Sequence, residues 1–399
     1  GDRIMALWDK GDSVDEAILA FSAGDEYRLD ERLVPYDCRA SIAHVRMLET
    51  VGGVTAHERD QLIAGLEEIT RLHAAGEFVI QRNQEDCHTA IEEWLTTHVG
   101  VAGKKIHLGR SRNDQVLTAL RLYEQEALGG IRERLDAYRH ALADRAAAQG
   151  DLPMPGYTHM RRAMPTTVGT WLTAFVDAAD DDRMMLDAVS ALIDRSPLGT
   201  GAGYGVPVFD LDRSATSKEL GFAAIHHNPI SAHMSRGKYE GVVLSILSQT
   251  LCSLNRLATD LLIFSMPELG FVQLPASLCT GSSIMPQKHN PDVLELVRAK
   301  YHVILAEEFK VKSLIGNLMT GYQRDLGLTK APVFIGFDTT HASLEIMSLV
   351  IKAVEIDAAA LRAAMSEDLY ATEEAYRLVK DGTPFRDAYR RIAEKYRKS

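Results

Sequence analysis

Five long stretches of the chain lack an interior proline and repeat apolar residues at helical spacing. They cover residues 113–149, 165–195, 236–261, 291–315 and 332–365. At about 1.5 Å per residue, helices of these lengths would each extend roughly 35 to 55 Å. Because single helices gain most of their stability from packing, five such helices predict an all-α fold built on a long helical bundle.

The helical period is clearest in the stretch that begins at Arg236. Its apolar positions are Tyr239, Val243, Leu247, Leu251, Leu254, Ala258 and Leu261. Residues 242–247 add apolar side chains on neighbouring faces, which predicts burial on both sides and other subunits over the outer faces. Alternating strand patterns are rare, and nothing reads as a βαβ series. We therefore expect an all-α oligomer.

The long stretches divide the chain into three predicted domains. Residues 1–110 form a helical N-terminal domain, residues 111–361 the central long-helix bundle, and residues 362–399 a short helical C-terminal domain. We interpret Met5 as the natural start, with residues 1–4 added in front of it.

The net charge and the cysteines argue against several classes of protein. Lys+Arg 44 against Asp+Glu 55 gives a net charge of -11, which argues against a nucleic-acid or membrane-surface binder. The four cysteines are scattered without a CxxC pair, so neither a disulfide framework nor a zinc site is predicted. No secretory signal or membrane-spanning run is recognised. A protein of the reducing cytoplasm is expected.

Residues 281–292 read Gly-Ser-Ser-Ile-Met-Pro-Gln-Lys-His-Asn-Pro-Asp and carry the most specific chemistry in the chain. Ser282 and Ser283 offer proton acceptors, and Lys288 would lower the cost of an oxyanion beside them. Ser282 alone would more often be a loop hydroxyl or a cap. Since no GxSxG elbow accompanies it, acyl transfer is disfavoured. The loop favours removal of a proton from a carbon beside a carboxylate.

Three other segments, residues 88–92, 109–115 and 156–159, combine polar side chains at predicted helix ends or turns. There, backbone amides and side chains can point at an anion. Asn113, and Asn290 before Pro291, would also suit plain helix N-caps. His159 alone is more often a structural histidine, but Glu295, one turn into its helix, would raise its basicity if the two meet.

Two further patterns have non-catalytic interpretations. His88 and Glu92 lie four residues apart on a predicted helix, but HExxH is absent and no third ligand is evident, so we expect no metal site. The glycines of residues 199–205 match neither the dinucleotide fingerprint nor the P-loop, and they predict a tight loop.

Taken together, these motifs resemble the fumarase/aspartase superfamily and, within it, the argininosuccinate branch. Residues 281–292 are similar to the superfamily's shared motif, and Gln287 is typical of the branch. Further similarity to the branch lies in residues 35–37, 41–44, 85–89, 109–116 and 155–159. The resemblance extends from about residue 7 to residue 390.

The resemblance implies a homotetramer whose active sites are each assembled from three subunits. It also implies a carbon–nitrogen lyase of arginine biosynthesis that reversibly converts argininosuccinate to arginine and fumarate without metal or organic cofactor. Ser282 would be the base, Lys288 and Asn290 would hold the succinyl carboxylate, and His159 with Glu295 would handle the proton of the departing nitrogen. The other substrate-binding residues implied are Ser111, Arg112, Asn113, Thr158, His88, Arg236, Ser283, Tyr322 and Lys330.

Three departures from the branch pattern bear on the substrate. The early Trp-Gly-Gly-Arg-Phe is replaced by residues 8–12, the segment around Arg236 differs, and Gly327 stands where the branch has a glutamine for the amino-acid end of arginine. One alternative is therefore another lyase that releases fumarate from an N-substituted aspartate. A second is a non-catalytic, crystallin-like structural relative, although Ser282, His159 and Lys288 are all present.

Overall fold

The helical stretches predicted from the sequence are helices in the computed structural model, which describes residues 18, 21–22 and 24–397. The proposed start at Met5 and the departure at residues 8–12 lie outside the described residues. Helices make up most of the described chain, so the all-α prediction is confirmed.

In chain order, the α-helices of the described residues range from a single turn to 38 residues in length. They are α1 Glu26–Leu29, α2 Val34–Thr50, α3 Ala56–Ala74, α4 Cys87–Val99, α5 Arg112–Gln149, α6 Val168–Ile193, α7 Arg213–Leu220, α8 Pro229–Met234, α9 Lys238–Phe264, α10 Asp292–Leu314, α11 Lys330–Ala353, α12 Ala358–Ala363, α13 Ala371–Lys380 and α14 Phe385–Tyr396.

The strands of the described residues form three small two-stranded sheets. Strand β1 (Pro153–Thr158) pairs antiparallel with β2 (Arg161–Thr167). Strands β3 (Arg195–Ser196) and β4 (Ala224–Ile225) pair in parallel. Strands β5 (Val272–Gln273) and β6 (Glu355–Ile356) pair antiparallel.

One long helix, α6, begins later than the spacing of apolar residues predicts, and another, α11, ends earlier. Helix α6 begins at Val168 because Pro165 and its neighbours belong to β2. Helix α11 ends at Ala353, and the chain then forms β6 before α12 begins. Asp357 starts the new helix, since its carboxylate accepts the N–H groups of Ala359 and Ala360, both at 2.9 Å. The break depends on pairing with β5, which the spacing of apolar residues does not encode.

The chain divides into two compact units, each discontinuous in sequence. Unit 1 contains residues up to Gly129, Asp187–Ser245 and Ala306–Phe337. One cluster of its core is formed by Ala40, Ala43, Leu122, Leu198, Leu220 and Phe222. This cluster joins α2, α5 and α7 with the loop that follows α6.

Unit 2 contains Gly130–Leu186, Ile246–Leu305 and Asp338–Ser399. Aromatic residues pack inside it: the Phe264 ring lies 5.4 Å from the ring of Trp171 and 5.6 Å from that of Phe271. The Trp171 indole N–H donates to Asp260 at 2.9 Å, so this N–H group has a hydrogen-bond partner within the packed rings.

The three-domain division stays a prediction. Its first boundary falls just before α5, and its second, between residues 361 and 362, falls inside α12. Among the described residues, no helix has both the length and the apolar character required to cross a bilayer.

Candidate active site

Arg112 is held in place where two helices of unit 1 begin. Asp86 caps α4 by accepting the backbone N–H of Thr89 at 2.8 Å. The same Asp86 oxygen accepts from Arg112 Nη1 at 3.1 Å, and Thr89 Oγ1 accepts from Nη2 at 3.2 Å. The guanidinium is half-buried and oriented by both contacts, as a carboxylate-binding arginine must be.

Ser111 directly precedes α5, and Asn113 lies in its first turn. Ser111 Oγ accepts the N–H of Asn113 at 3.2 Å, and Asp114 accepts the N–H of Ser111 at 2.9 Å. Ser111 therefore stands at the cap, which does not support the alternative interpretation of Asn113 as a plain N-cap. Because Asn113 lies in the first turn, its amide is not used for capping.

The glycine run is the predicted tight loop, and it binds a carboxylate of the chain itself. The N–H groups of Gly199 and Gly201 donate to Asp114 Oδ2 at 3.1 and 2.9 Å. Burial raises the pKa of Asp114 to about 6, although these bonds and the one from Ser111 lower it in part. Asp114 thereby fixes the start of α5, where Ser111, Arg112 and Asn113 lie.

His88 is buried and faces Asp37. Its side chain has an exposed fraction of 0%, and its Nδ1 lies 3.0 Å from Asp37 Oδ1. Burial raises the pKa of Asp37 to about 6, while the nearby Arg110 and Arg112 lower it in part. Within one chain, His88 is therefore buried, two residues after the Asp86 that accepts a hydrogen bond from Arg112.

Lys330 is also buried, at the start of α11. Its ammonium donates to Asp30 and Glu26, both at 2.7 Å. Burial by itself would lower the pKa of Lys330, but the two carboxylates more than offset this, so its pKa is raised and it stays charged. Ligand atoms of Asp30, Cys87 and His88 lie within 4.8 Å of one another, as in a metal site, but the cation that Asp30 holds is Lys330.

Arg236 is a buried cation with spare hydrogen-bonding capacity. Its side chain is 5% exposed, and the guanidinium carbon lies 5.3 Å from the centre of the Tyr322 ring. Its Nε has no hydrogen-bond partner among the described residues. Gly237 follows at φ +81°, and a Cβ there would lie 2.2 Å from Ile315, so the chain beside Arg236 requires glycine. An anion binding at Arg236 would satisfy the unpaired donor.

His159 lies at the tip of the β1–β2 hairpin in unit 2. Thr158 pairs with Arg161, so His159 and Met160 form a two-residue turn, with φ values of 53° and 59°. Such mirror-image turns favour glycine or asparagine, and a histidine and a methionine there are strained. A register shift between Gly156 and Tyr157 bends the hairpin. Thr158 and His159 are exposed at this tip.

The 281–292 loop is closed at its base and open at its tip. The backbones of Thr280 and Asn290 exchange hydrogen bonds of 2.8 and 2.9 Å, and the Thr280 hydroxyl donates to Asp292. Inside the loop, Ser282 Oγ accepts the N–H groups of Ile284 and Met285 at 3.3 and 3.0 Å. Two donors on one hydroxyl oxygen favour its negatively charged form.

The remaining polar residues of the loop and of α10 differ in burial. Ser283, Lys288 and Glu295 are exposed, whereas Asn290 is half-buried and donates to the Gly281 carbonyl at 3.3 Å. Helix α10 begins at Asp292, two residues after Asn290, which does not support the alternative interpretation of Asn290 as its N-cap.

The structure thus places the predicted residues in local groups. In unit 1, Arg112 bonds to Asp86 and Thr89, and Arg236 lies against the Tyr322 ring. Unit 2 contains the Ser282 loop and the hairpin tip. Within the described residues, no hydrogen bond or ion pair joins His159 to Glu295. Sequence reasoning missed Asp86 and Asp114, although an acidic residue at or near a helix start was a signal for each.

A family model described as lyase matches residues 11–305. Together with the helical fold, this defines the chain as a lyase of the fumarase/aspartase superfamily. Within that class, it belongs to the argininosuccinate lyase family. It is 47% identical over 390 residues to the argininosuccinate lyase of Thermotoga neapolitana, covering 98% of both chains. It is 44% identical over 389 residues to that of Sorangium cellulosum, covering 98% of this chain and 90% of the relative.

Solved structures show the same fold. An EDDS lyase variant with bound fumarate matches with a TM-score of 0.82 and 25% identity, over 96% of this chain and 76% of that chain. A class II fumarase from Schistosoma mansoni matches with a TM-score of 0.80 and 16% identity, over 95% of this chain and 88% of that chain.

Proposed function

We propose that the protein catalyses the reversible β-elimination of argininosuccinate to arginine and fumarate, as a step of arginine biosynthesis in the cytoplasm. The relatives named argininosuccinate lyase support the substrate. The four free cysteines support a reducing compartment. The observation that carries the chemistry is the pair of backbone N–H groups on Ser282 Oγ.

The proton-abstraction step uses the 281–292 loop. Ser282 Oγ, as an oxyanion stabilised by the two N–H groups, takes a proton from the methylene carbon of the succinyl group. The electron pair left on that carbon moves onto the adjacent carboxylate, where Lys288 and Asn290 hold the growing negative charge. Each well-placed donor to such a charge contributes about 3 kcal/mol to the transition state. Ser283 binds the same part of the substrate.

The C–N bond then breaks, fumarate forms, and the departing nitrogen of arginine takes up a proton. His159, oriented by Glu295, delivers it. Arg112, Arg236, Ser111, Asn113 and Thr158 bind substrate carboxylates, and Tyr322 contacts the arginine half. His88 and Lys330 belong to the same site but are buried in the chain, so they act through Asp37 and through Asp30 and Glu26.

The active site is completed by a homotetramer in which three subunits contribute to each site. Two observations support this assembly. His159 and Glu295 are both exposed and do not bond to each other within the described chain, so a second subunit can bring them together. Helix α10 exposes Leu296, Val303 and Phe309 by 59%, 45% and 74%, which is typical of a surface that another subunit covers.

The reaction is tested by incubating the purified protein with argininosuccinate and following fumarate by its ultraviolet absorbance. We expect fumarate to appear at a rate proportional to enzyme. No fumarate at high enzyme concentration would contradict the function and would leave a lyase with another substrate or a structural role.

Ser282→Ala tests the mechanism separately. We expect a loss of activity of about 10² to 10⁴-fold, the usual contribution of a general base. Ser277→Ala, at an exposed serine before the loop, is the matched control and should retain full activity. Full activity of Ser282→Ala would reject the proposed base and leave the reaction itself standing.

A second candidate is a lyase that releases fumarate from a different N-substituted aspartate, and Gly327 is the observation that favours it. A Cβ at this position would approach only Arg324 Nη1, at 3.8 Å, so the space for a longer side chain is open. Turnover of argininosuccinate, adenylosuccinate and aspartate under equal conditions separates the two candidates. Faster turnover of either of the last two would favour the second candidate.

A further inference from the structure

A cavity of about 560 Å³ opens beside α4 in unit 1. Its walls are the end of α3 at Leu72, the segment from Glu77 to Gln84, and one side of α4 from Thr89 to His98. This volume lies within the range of small-molecule sites. None of its lining residues is proposed to contact the substrate of the elimination, although Thr89 also positions Arg112.

One part of the cavity wall is apolar. Phe78 is 8% exposed, Val79 is 53% exposed, and Trp94 is half-buried. The rings of Trp94 and His98 stack with their centres 4.0 Å apart, and His98 Nδ1 bonds to the Trp94 carbonyl oxygen at 2.8 Å. The indole is therefore fixed, as a surface for a flat apolar group requires.

The polar part of the wall is acidic. Glu77, Glu92 and Glu93 line the cavity, and its fourteen lining residues include no lysine or arginine. Glu93 accepts from Gln84 Nε2 at 2.8 Å, whereas Glu92 has no hydrogen-bond or ion-pair partner among the described residues. The positive charge that acts on Glu92 is that of Arg110, whose guanidinium already donates to Ser41 and to the Ile106 carbonyl.

A half-buried carboxylate without a partner raises the free energy of the folded chain, and a cation beside it would lower that free energy. Burial raises the pKa of Glu92 to about 6; Arg110 lowers it, and Asp86 and Glu93 raise it. At a pKa of about 6, Glu92 is still mainly ionised at neutral pH, and three of the four charges that act on it, those of Asp86, Glu93 and Asp37, are negative.

We propose that this cavity is a second ligand site, which binds an organic cation with an apolar body and a guanidinium, amidinium or ammonium head. The apolar body packs on Trp94 and Phe78, and the cationic head pairs with Glu92 and Glu77. This inference does not depend on the proposed elimination reaction. Thr89 both lines the cavity and accepts a hydrogen bond from Arg112, so a bound ligand adjoins a residue that positions this arginine.

The test is calorimetric titration of the full chain with benzamidine and, in parallel, with benzamide, which has nearly the same shape without the charge. We expect benzamidine to bind at least roughly tenfold more tightly than benzamide. Glu92→Gln should weaken benzamidine by at least roughly tenfold, because it removes the charge at nearly constant shape. Glu67→Gln removes the same charge from an exposed site on α3 outside the cavity, and should bind benzamidine like the wild type.

Thermal melting of each variant checks that it is folded. If Glu92→Gln is unfolded, Glu77→Gln provides the same comparison at an exposed position of the cavity wall. Equal binding of benzamide, wild-type affinity for benzamidine in the glutamate variants, or no detectable benzamidine binding would each overturn the proposal.

Discussion

Asp86 shows how one side chain can serve two purposes. Its carboxylate caps α4 through the Thr89 N–H and, with the same oxygen, accepts from Arg112. The capping contact stabilises the helix, and the second contact fixes a guanidinium that we propose binds substrate. A substitution that keeps the capping hydrogen bond of Asp86 but removes its negative charge separates helix stability from the orientation of Arg112.

We predict that Asp86→Asn raises the KM for argininosuccinate by about tenfold with little change in melting temperature. Asparagine caps helices about as well as aspartate, but it cannot supply the charge that orients Arg112. Steady-state kinetics and thermal melting measure the two effects. Asp212→Asn is the control, because Asp212 caps α7 through the Ala215 N–H at 2.9 Å and bonds to no arginine among the described residues. Equal KM values for both variants would show that Asp86 is only a cap.

Lys330 shows that the type of a residue does not reveal its contacts. A lysine in the position of Lys330 suggests a contact with substrate, yet its ammonium lies between Asp30 and Glu26 inside unit 1. Burying a charge is costly unless a partner is present, and in this chain two partners hold it. The residue type could be read from the sequence, whereas its partner, 300 positions away, could not.

At the scale of elements, the two segments with the most specific chemistry are irregular. The Ser282 loop and the hairpin tip at His159 both place polar side chains on segments held at their ends by backbone pairing. The helices supply rigidity, and these short segments carry the reactive groups at their ends.

The strain at the hairpin tip is directly measurable. We predict that Met160→Gly raises the free energy of unfolding by about 0.5 to 1 kcal/mol, because glycine adopts a φ near 59° without steric cost. Urea denaturation measures the change. Met164→Gly, in β2, should have the opposite sign, since glycine weakens a strand. A loss of stability in both variants would mean that the turn is not strained.

Helix α6 carries a carboxylate that makes stability depend on pH. Asp182 is 4% exposed, and burial raises its pKa from 3.8 to about 7, although a hydrogen bond from Ser253 lowers it in part. The folded chain therefore holds a proton that the unfolded chain has lost, and the free energy of unfolding falls as pH rises from about 4 to about 7.

We predict that Asp182→Asn removes this dependence. The variant should be more stable than the wild type at pH 8, by on the order of 2 to 4 kcal/mol, with little difference at pH 4. Urea denaturation at several pH values provides the measurement. Asp181→Asn, at the exposed neighbour, should change stability by less than about 0.5 kcal/mol. A constant difference across this pH range would contradict the argument.

At the scale of the whole molecule, the question is which surfaces of the chain another subunit covers. The long helices were predicted to be apolar on more than one face, and α10 does expose apolar residues in the single chain. Phe309 is more exposed than Leu296 or Val303, at 74%.

We predict that the wild type has the mass of a tetramer and that Phe309→Glu shifts it to smaller species with a loss of activity. A buried, unpaired carboxylate would oppose association, and incomplete sites cannot turn over. Size-exclusion chromatography with light scattering gives the mass, and the fumarate assay gives the activity. Lys310→Gln makes the same change in net charge at the next, exposed position and should leave both unchanged. A monomeric wild type with full activity would contradict the shared site.

The sequence predicted much of the fold, since the period of apolar residues is a local property. It located the helices from 113 to 149 and from 291 to 315 to within one residue at each end. It overran the end of α11, because that helix stops where β6 pairs with β5. It left open whether Asn113 and Asn290 are N-caps; in the structure, Ser111 accepts the Asn113 N–H, and the Asn290 amide donates to the Gly281 carbonyl.

The sequence by itself determined the helical class, the family and the residue types of the candidate site, because spacing and motif letters are written along the chain. Only the tertiary structure decided which of those residues are buried and what they contact. It placed His88 against Asp37, Lys330 between two carboxylates, and Ser282 beneath two backbone N–H groups. Burial and pairing join residues that are distant in sequence, so they follow from packing and cannot be read from any local pattern.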